Sequence, residues 1–349
     1  MRSLAQTMST AGTIALVLTA CGDRGPGRSE GATELHPEQE QRVARGRYLV
    51  NVVGACGDCH TPRLPGGAPD ESRTLAGVDC FIDADPSNPD FGCLSARNLT
   101  HHETGLKNRS DAQIRDMFLK GERPADSGGK PSALHPIMPY WVLGNMRDAD
   151  ADAIVAYLRT VPGIDHRVAP RQAPFEQTDP VPRFPAAKIP RPDASYPDQA
   201  AALRGRYLAG ELGVCLECHT PRDTVDAPLL DRAFQGGRVF TRSGLGLPPG
   251  FPELIYTSNL TPDPSGIGGW TIEEIVAALK QGKDKNQGGS PMCPPMPSGP
   301  MGAFASLTDD DARDIAHYLL SIPGAHNPVP SDCQPPPSNV AQDAGYGAR

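Results

Sequence analysis

The octapeptide CGDCHTPR at residues 56–63 returns as CLECHTPR at residues 215–222, 159 positions further along the chain. Each copy places two cysteines three residues apart, with a histidine directly after the second cysteine. On a helical turn this spacing brings both sulfur-bearing side chains to one side, roughly 5–6 Å apart at Cβ. The chain therefore has to build the same small turn at two places, and this requirement restricts the folds available to it.

The two octapeptides lie inside a longer internal repeat. RGRYL at 45–49 recurs at 204–208, and NLT at 98–100 recurs at 259–261. Further residues keep the same order at a spacing of 161: Gly105 with Gly266, Ile114 with Ile275, Gly121 with Gly282 and Tyr157 with Tyr318. This order indicates a duplicated domain. The predicted boundaries are a first half at 37–163, a proline-rich linker at 164–197 and a second half at 198–325.

Each half is expected to consist of short helices. No long stretch alternates at period two, and the chain has 38 prolines and 37 glycines but only 5 % aromatic residues. Such a composition favours loops around compact helices over long strands. The predicted helices include Ser110 to Gly121 and Thr271 to Gly282, each with an N-cap and a glycine stop, and a last helix with a capping box at Thr308 and Asp311. The expected fold class is all-α.

A Cys-x-x-Cys-His turn is the attachment motif of c-type haem. Its two sulfurs form thioether bonds to the vinyl groups of one porphyrin, and the histidine ligates the iron. The residues in these roles are Cys56, Cys59 and His60 in the first half, and Cys215, Cys218 and His219 in the second. A zinc cluster needs both cysteine pairs at one site, and a thioredoxin-like dithiol needs a βαβ pattern. The sequence favours two covalently bound haem c groups over both alternatives.

With these motifs the chain resembles the class I cytochrome c domains in the cytochrome subunits of bacterial periplasmic alcohol and sugar-acid dehydrogenases. The resemblance covers residues 42–163 and 200–325 and rests on the RGxYL, CxxCHTPR, NLT and MP motifs. Such subunits usually contain three domains of this kind, whereas the motif set occurs twice here. The resemblance implies two tandem class I cytochrome c domains joined by the proline-rich linker.

The family's second iron ligand is a methionine in a proline-flanked loop before the last helix. In the first half the loop PIMPY at 136–140 has this form, so Met138 is the expected ligand. In the second half Met296, in PPMP, matches Met138. However, the segment from Met296 to Tyr318 in the last helix is three residues longer than the segment from Met138 to Tyr157. The other residues considered are His135 and Met146 in the first half, and Met301 and Met292 in the second.

Four further cysteines and two arginines complete the candidate residues. Export favours disulfides, and the predicted pairs are Cys80–Cys93 and Cys293–Cys333. A rival role for Cys293 is that of a thiolate ligand to iron. Arg63 and Arg222 follow the two motifs and are candidates for pairing with haem propionates, because guanidinium groups bind carboxylates in a bidentate way. An ordinary surface position explains these arginines equally well.

The N-terminal segment is typical of an export signal. Arg2 supplies a positive charge, a short apolar stretch follows, and Leu18–Cys21 resembles a bacterial lipobox. We expect a lipoprotein signal peptide at 1–20, a lipidated Cys21, a flexible tether at 21–36 and a proline-rich tail at 326–349. The net charge of −8 without a basic run argues against a nucleic-acid partner. The expected location is the periplasmic face of a membrane, with the protein anchored through Cys21.

Iron with a histidine on one side and a methionine on the other has no open position for a substrate. The expected function is therefore the transfer of single electrons, from a dehydrogenase or quinone-linked donor to another cytochrome or an oxidase. The alternative is a dihaem enzyme of the peroxidase or thiosulfate dehydrogenase type, with an open or cysteine-ligated second iron.

Overall fold

The computed structural model describes residues 36–64, 68–85, 87–125, 131–175, 179–223, 227–245, 247 and 250–330. The described residues from Pro37 onwards belong to one compact unit. The predicted signal peptide, the lipid attachment at Cys21, all of the tether except His36, and the tail beyond residue 330 with Cys333 lie outside the described residues.

Helices make up most of the regular structure in the described chain. In the first half they are α1 (Pro37–Tyr48), α2 (Cys56–His60), α3 (Asp111–Lys120), α4 (Tyr140–Leu143) and α5 (Asp148–Leu158). In the second half they are α6 (Gln199–Arg206), α7 (Cys215–His219), α8 (Ile272–Gln281) and α9 (Asp309–Ser321). Short π-helical segments, Leu49–Val53 and Tyr207–Leu212, continue α1 and α6. Among the described residues, no helix combines the length and apolar character of a membrane span.

Small antiparallel hairpins accompany the helices, so the expectation of an all-α fold is too strict. The strand pairs are β1 (Val78–Asp83) with β2 (Cys93–Ala96), β3 (Glu122–Arg123) with β4 (Ser132–Ala133), β5 (Val239–Thr241) with β6 (Leu254–Tyr256), and β7 (Lys283–Asp284) with β8 (Ser290–Pro291). Most of these strands are two to four residues long. A period-two pattern needs a longer run to be recognised, which is why sequence reasoning missed them.

The first and last helices of each half cross in direct backbone contact. The glycine of each RGRYL motif makes this possible: a Cβ atom built on Gly46 would lie 1.9 Å from the carbonyl oxygen of Ala153. A Cβ atom built on Gly205 would lie 1.8 Å from the carbonyl oxygen of Asp314. Since no side chain fits at such distances, the repeated glycine holds α1 against α5 and α6 against α9.

The predicted ends of α3 and α8 are confirmed. Ser110 and Thr271 are N-cap residues, and each takes part in a complete capping box with the residue three positions on, Gln113 or Glu274. The two helices stop at Gly121 and Gly282, which have φ of 72° and 69°. Glycine enters this left-handed region without the steric penalty that other residues meet.

The capping box predicted for α9 is only half formed. Thr308 Oγ1 accepts the backbone N–H of Asp311 as expected, but the Asp311 carboxylate does not return to the cap. It accepts a 2.5 Å hydrogen bond from the hydroxyl of Tyr48, and this hydroxyl also accepts the N–H of Thr308. A tyrosine of the first half therefore completes the helix cap of the second half.

A tyrosine of the second half makes the equivalent contact with a helix of the first half. Tyr207, the repeat equivalent of Tyr48, donates a 2.5 Å hydrogen bond to Asp150 at the start of α5 and accepts the backbone N–H of Arg147. Asp150 also pairs with Arg45 at 2.8 Å and is itself 8 % exposed. Burial acts to raise the pKa of Asp150, but the hydrogen bonds from Arg45 and Tyr207 outweigh it and lower the pKa.

The proline-rich linker is packed between the halves. Phe184 and Ile189 are 1 % and 0 % exposed and belong to a core cluster that contains residues of both halves. The Phe184 N–H donates to the carbonyl of Trp141 at 2.7 Å, and the Tyr318 hydroxyl donates to the carbonyl of Pro190 at 3.0 Å. The linker thus contacts the helices before and after it.

We expect Asp150→Asn to lower the free energy of unfolding at neutral pH by about 1–2 kcal/mol, a figure reduced because Arg45 is partly exposed. The pKa of Asp150 is lower in the folded state, so its contribution is complete above the unfolded pKa of about 3.9 and is lost as the pH falls through the folded pKa. Denaturant titrations should therefore show the parent and the variant converging at low pH. Asp152→Asn, at an exposed position of the same helix, is the control. If the parent and Asp150→Asn differed in unfolding free energy by the same amount at all pH values, the ionised Asp150 carboxylate would not be the source of the stability.

Candidate haem attachment sites

We call Cys56, Cys59 and His60 the first seat, and Cys215, Cys218 and His219 the second seat. In the first seat the His60 ring is buried, and its Nδ1 lies 2.6 Å from the carbonyl oxygen of Arg97. A carbonyl oxygen only accepts, so Nδ1 carries the proton and Nε2 keeps its lone pair. Burial lowers the pKa of His60 and favours the neutral ring. A neutral imidazole with a free Nε2 is the form that ligates a metal.

The second seat repeats this arrangement. His219 is buried, its Nδ1 lies 2.7 Å from the carbonyl oxygen of Ser258, and burial lowers its pKa. Arg97 and Ser258 each precede the asparagine of an NLT motif. The repeated NLT segment therefore supplies the acceptor that orients each histidine ring.

The asparagines of these segments are used within the protein. Asn98 Oδ1 accepts the Thr100 N–H at 2.9 Å, while its Nδ2 donates to the carbonyl of Ile164 at 2.9 Å. Asn259 makes the equivalent contacts with Thr261 and Ala325. Both side chains are thus engaged in bonds within the protein. The asparagines hold the histidine acceptors against the segments that follow α5 and α9.

Two glycines that sequence reasoning missed also position the seats. The N–H groups of Gly77 and Gly236 donate to the carbonyls of His60 and His219 at 2.8 and 2.7 Å. Their φ angles are 89° and 70°. A Cβ atom built on Gly236 would lie 2.4 Å from the backbone of Ser258. Their separation of 159 residues equals that of the two motifs, and this signal could have identified them.

The four motif cysteines are free thiols. Burial raises the pKa of Cys56 and of Cys215 to about 12. No group of metal-ligating side chains found in the described residues brings these cysteines together. Neither a redox disulfide within a motif nor a shared zinc cluster is therefore present, and the free thiols fit the attachment of one porphyrin at each seat.

The segment after the second motif contacts the first half. The Arg222 guanidinium lies 4.9 Å from the ring centroid of Trp141, a residue of the first half. In the first seat, desolvation raises the pKa of Cys59 to about 12, and the negative charges of Asp58 and Glu217 add to this shift.

The candidate methionines occupy matching loops. Leu134 and Met292 donate their N–H groups to the carbonyls of Gly121 and Gly282, each at 2.8 Å. Four residues further on come Met138 and Met296, each half-buried and packed against the core. Their own N–H groups donate to the carbonyls of the residues three positions earlier, His135 and Cys293. In hydrogen-bond register, Met296 is thus the equivalent of Met138.

The other methionines differ from this pair. Met301 is 75 % exposed. Met146 is buried in the hydrophobic core. Met292 packs against the core at the position equivalent to Leu134. Trp141 Nε1 donates to the carbonyl of Pro136 at 2.9 Å and so fixes the start of the Met138 loop.

The arginines after the motifs have different environments. Arg63 is 36 % exposed and lies 3.6 Å from the Asp58 carboxylate. Arg222 is 8 % exposed and pairs with Glu217 at 3.0 Å, while its guanidinium stacks on Trp141. The pairing of either arginine with a propionate stays a prediction. Arg222 is too deeply buried for the alternative explanation, an ordinary surface arginine.

The predicted disulfide between Cys80 and Cys93 is present and links β1 to β2. Cys293 is also disulfide-bonded, while its predicted partner, Cys333, lies outside the described residues. A cysteine in a disulfide has no thiolate to offer, so the alternative of Cys293 as an iron ligand loses its support.

Comparison with known proteins shows a likeness to one family. The family model named Cytochrome c matches residues 203–323, which contain the whole second seat and the Met296 loop. The match of these residues to a cytochrome c domain implies covalently bound haem c, the cofactor predicted from the motif.

The curated relatives extend the likeness along the chain. The fructose dehydrogenase cytochrome subunit of Gluconobacter japonicus is 30 % identical in an alignment that covers 93 % of this chain and 60 % of that protein. The gluconate 2-dehydrogenase cytochrome c subunit of Pantoea cypripedii is 30 % identical, over 80 % of this chain and 59 % of that protein. The chain thus spans about 60 % of the length of these two subunits.

A third relative is described as a diheme cytochrome c-type protein of Cereibacter sphaeroides, 37 % identical over 136 residues. These residues are 38 % of this chain and 38 % of that protein. The resemblance to cytochrome c subunits of dehydrogenases, predicted from the motifs, is confirmed by these relatives.

We expect Gly236→Ala to destabilise the second seat, because its Cβ atom would overlap the backbone of Ser258. The expected loss of unfolding free energy is about 1–3 kcal/mol, measured by denaturant titration. Gly237→Ala is a matched control: its φ is also positive, at 85°, but its Cβ atom would meet nothing closer than 3.5 Å. Equal losses in both variants would show that backbone strain, and not the contact at Ser258, is responsible.

Proposed function

We propose that the chain is a dihaem electron-transfer protein made of two tandem cytochrome c domains, 37–163 and 198–325. Each domain would hold one haem c through the two cysteines of its seat. The iron would be held by His60 and Met138 in the first domain, and by His219 and Met296 in the second. A haem bound in this way supplies a one-electron Fe(III)/Fe(II) couple.

The observation that carries this proposal is the identical orientation of the two histidines. Each Nδ1 proton is given to a backbone carbonyl, at 2.6 and 2.7 Å, which leaves each Nε2 as the ligand atom. The family model matches residues 203–323, in the second half, and the repeat of this detail at His60 is what supports a second haem. The free thiols beside each histidine fit the same role.

The methionine loops support electron transfer over substrate chemistry, because an iron with two protein ligands has no open position for a substrate. Met296 shares the hydrogen-bond register of Met138, so both irons would have two protein ligands. The rival function, a dihaem peroxidase or thiosulfate dehydrogenase, requires an open or cysteine-ligated second iron. The disulfide at Cys293 removes the cysteine ligand, and no observation favours an open position.

The partners and the location belong to the same proposal. Relatives named as subunits of fructose and gluconate dehydrogenases support a dehydrogenase as the electron donor, with a quinone-linked donor as the alternative. The acceptor would be another cytochrome or an oxidase. Export to the periplasmic face and lipid attachment at Cys21 rest on the N-terminal sequence.

The haem content tests the number of seats. We expect two haems per chain in the parent protein, since both seats have the same ligand set. Replacing Cys56 and Cys59 with serine, or Cys215 and Cys218 with serine, should each leave one covalent haem per chain, measured on the denatured protein in pyridine. A parent value of one haem, unchanged by one of the two double replacements, would refute the dihaem proposal.

The far-red sulfur-to-iron absorption band of the oxidised protein tests the methionine ligands. Met296→Leu should halve the band per haem, because one of two thioether ligands is removed. Met301→Leu is the matched control and should leave the band unchanged, since Met301 is 75 % exposed. The reverse result would place Met301 on the iron, and a parent band worth one methionine would favour the enzyme alternative.

A further inference from the structure

The indole of Trp141 contacts both the first methionine loop and the second half. Trp141 is 2 % exposed, and its Nε1 donates to the carbonyl of Pro136 at 2.9 Å, two residues before Met138. The guanidinium of Arg222 lies 4.9 Å from the centroid of the indole ring. A guanidinium over an aromatic face is attracted to it, and the attraction is stronger when both groups are shielded from water. The indole therefore connects the loop of Met138 to a residue of the second half.

Arg222 is placed by the haem-binding turn of the second half. It follows His219 by three residues, and its Nη2 donates to the carboxylate of Glu217 at 3.0 Å. Glu217 lies between the two cysteines of the second motif, and the side chains of Arg222 and Glu217 are 8 % and 6 % exposed. A planar guanidinium can bind a carboxylate through its N–H groups and an aromatic ring through its face at the same time. The turn of the second motif thus supports a residue of the first half.

The support that a tryptophan gives a methionine loop is specific to the first half. In the second half the position equivalent to Trp141 is Gly299 when it is counted from the loop methionine, and Gly302 when it is counted back from the last helix. Neither residue has a ring on which an arginine could stack. In that loop the Phe304 N–H donates to the carbonyl of Pro297 at 2.9 Å, a bond within the second half.

The hydrogen bonds of the first loop place Met138 inside a closed turn. The Met138 N–H donates to the carbonyl of His135 at 3.0 Å, and the Met138 carbonyl accepts the N–H of Tyr140 at 2.8 Å. The bond from Trp141 to Pro136 closes the turn around both of these. A group that is already held in its bound position loses less conformational freedom on binding and therefore binds more strongly. Whatever fixes the indole should strengthen the bond that Met138 makes.

We propose that Trp141 is a positioning residue for Met138 and that Arg222 holds the indole in place, so that the second half strengthens the bond between Met138 and the iron of the first half. This inference rests on the proposed function, in which Met138 is the second iron ligand of the first domain. It adds a dependence of the first site on the second half. The dependence runs in one direction, because the second loop has a glycine where the tryptophan would stand.

Displacement of the methionine by added imidazole tests the inference. The full chain with both haems carries Met296→Leu, so that the remaining far-red sulfur-to-iron band belongs to Met138. The imidazole concentration that removes half of this band measures the strength of the bond. Trp141→Phe, which keeps a ring but removes the indole N–H, should lower this concentration about three- to tenfold, the factor that corresponds to one hydrogen bond. Arg222→Lys, which keeps the charge but not the planar guanidinium, should lower it by a similar factor of about three to ten.

Each variant has a matched control. Trp270→Phe removes another buried indole N–H, which donates to Asn286 at 3.1 Å within the second half. Arg147→Lys alters another guanidinium that lies over an aromatic ring of the opposite half, 4.0 Å from the ring centroid of Tyr207. Neither of these contacts involves the Met138 loop, so both controls should keep the parent value.

The haem content is measured on every variant, and two haems per chain exclude loss of a cofactor as the cause of a change. Parent values in both Trp141→Phe and Arg222→Lys, or equal changes in variants and controls, would overturn the inference while leaving Met138 as the ligand. A change in Trp141→Phe alone would overturn the part assigned to the second half. If Trp141→Phe fails to fold, Arg222→Lys still decides between these results. The absence of any band in the Met296→Leu protein would instead refute the proposed Met138 ligand, and the inference with it.

Discussion

The hydrogen bond from a buried histidine Nδ1 to a backbone carbonyl is the interaction on which both seats depend. It fixes the tautomer and the orientation of the ring, and it leaves Nε2 as the atom that can hold a metal. The surrounding structure keeps the acceptors in place: Gly77 and Gly236 bind the histidine carbonyls, and the NLT asparagines tie the loops of Arg97 and Ser258 to the segments that follow α5 and α9. Each element is present twice, so the duplication preserved a complete support and not only a ligand set.

The contacts between the halves are reciprocal. Tyr48 binds Asp311 at the start of α9, and Tyr207 binds Asp150 at the start of α5. The linker residues Phe184 and Ile189 enter the same core cluster as both halves. Because these contacts are buried or partly buried, they hold the two seats in a defined arrangement.

Much of the local structure could be read from the sequence, because it depends on residues close together in the chain. The capping boxes of α3 and α8, the glycine stops and the Cys80–Cys93 disulfide agree with the predictions. The predictions that failed depended on distant residues or on very short elements. The capping box of α9 is completed from 260 residues away, and hairpins with strands of two residues leave no pattern to recognise.

By itself, the sequence determined the motif residues, the repeat and the family resemblance, since covalent attachment and helix capping need particular residue types at fixed spacing. Only the tertiary structure distinguished Met296 from Met301 by register and exposure. It also placed Arg222 against Glu217 and Trp141. The physical reason is that burial and charge pairing are properties of side chains brought together from distant segments. Equivalent residues in a repeat therefore acquire different environments, as Arg63 and Arg222 do.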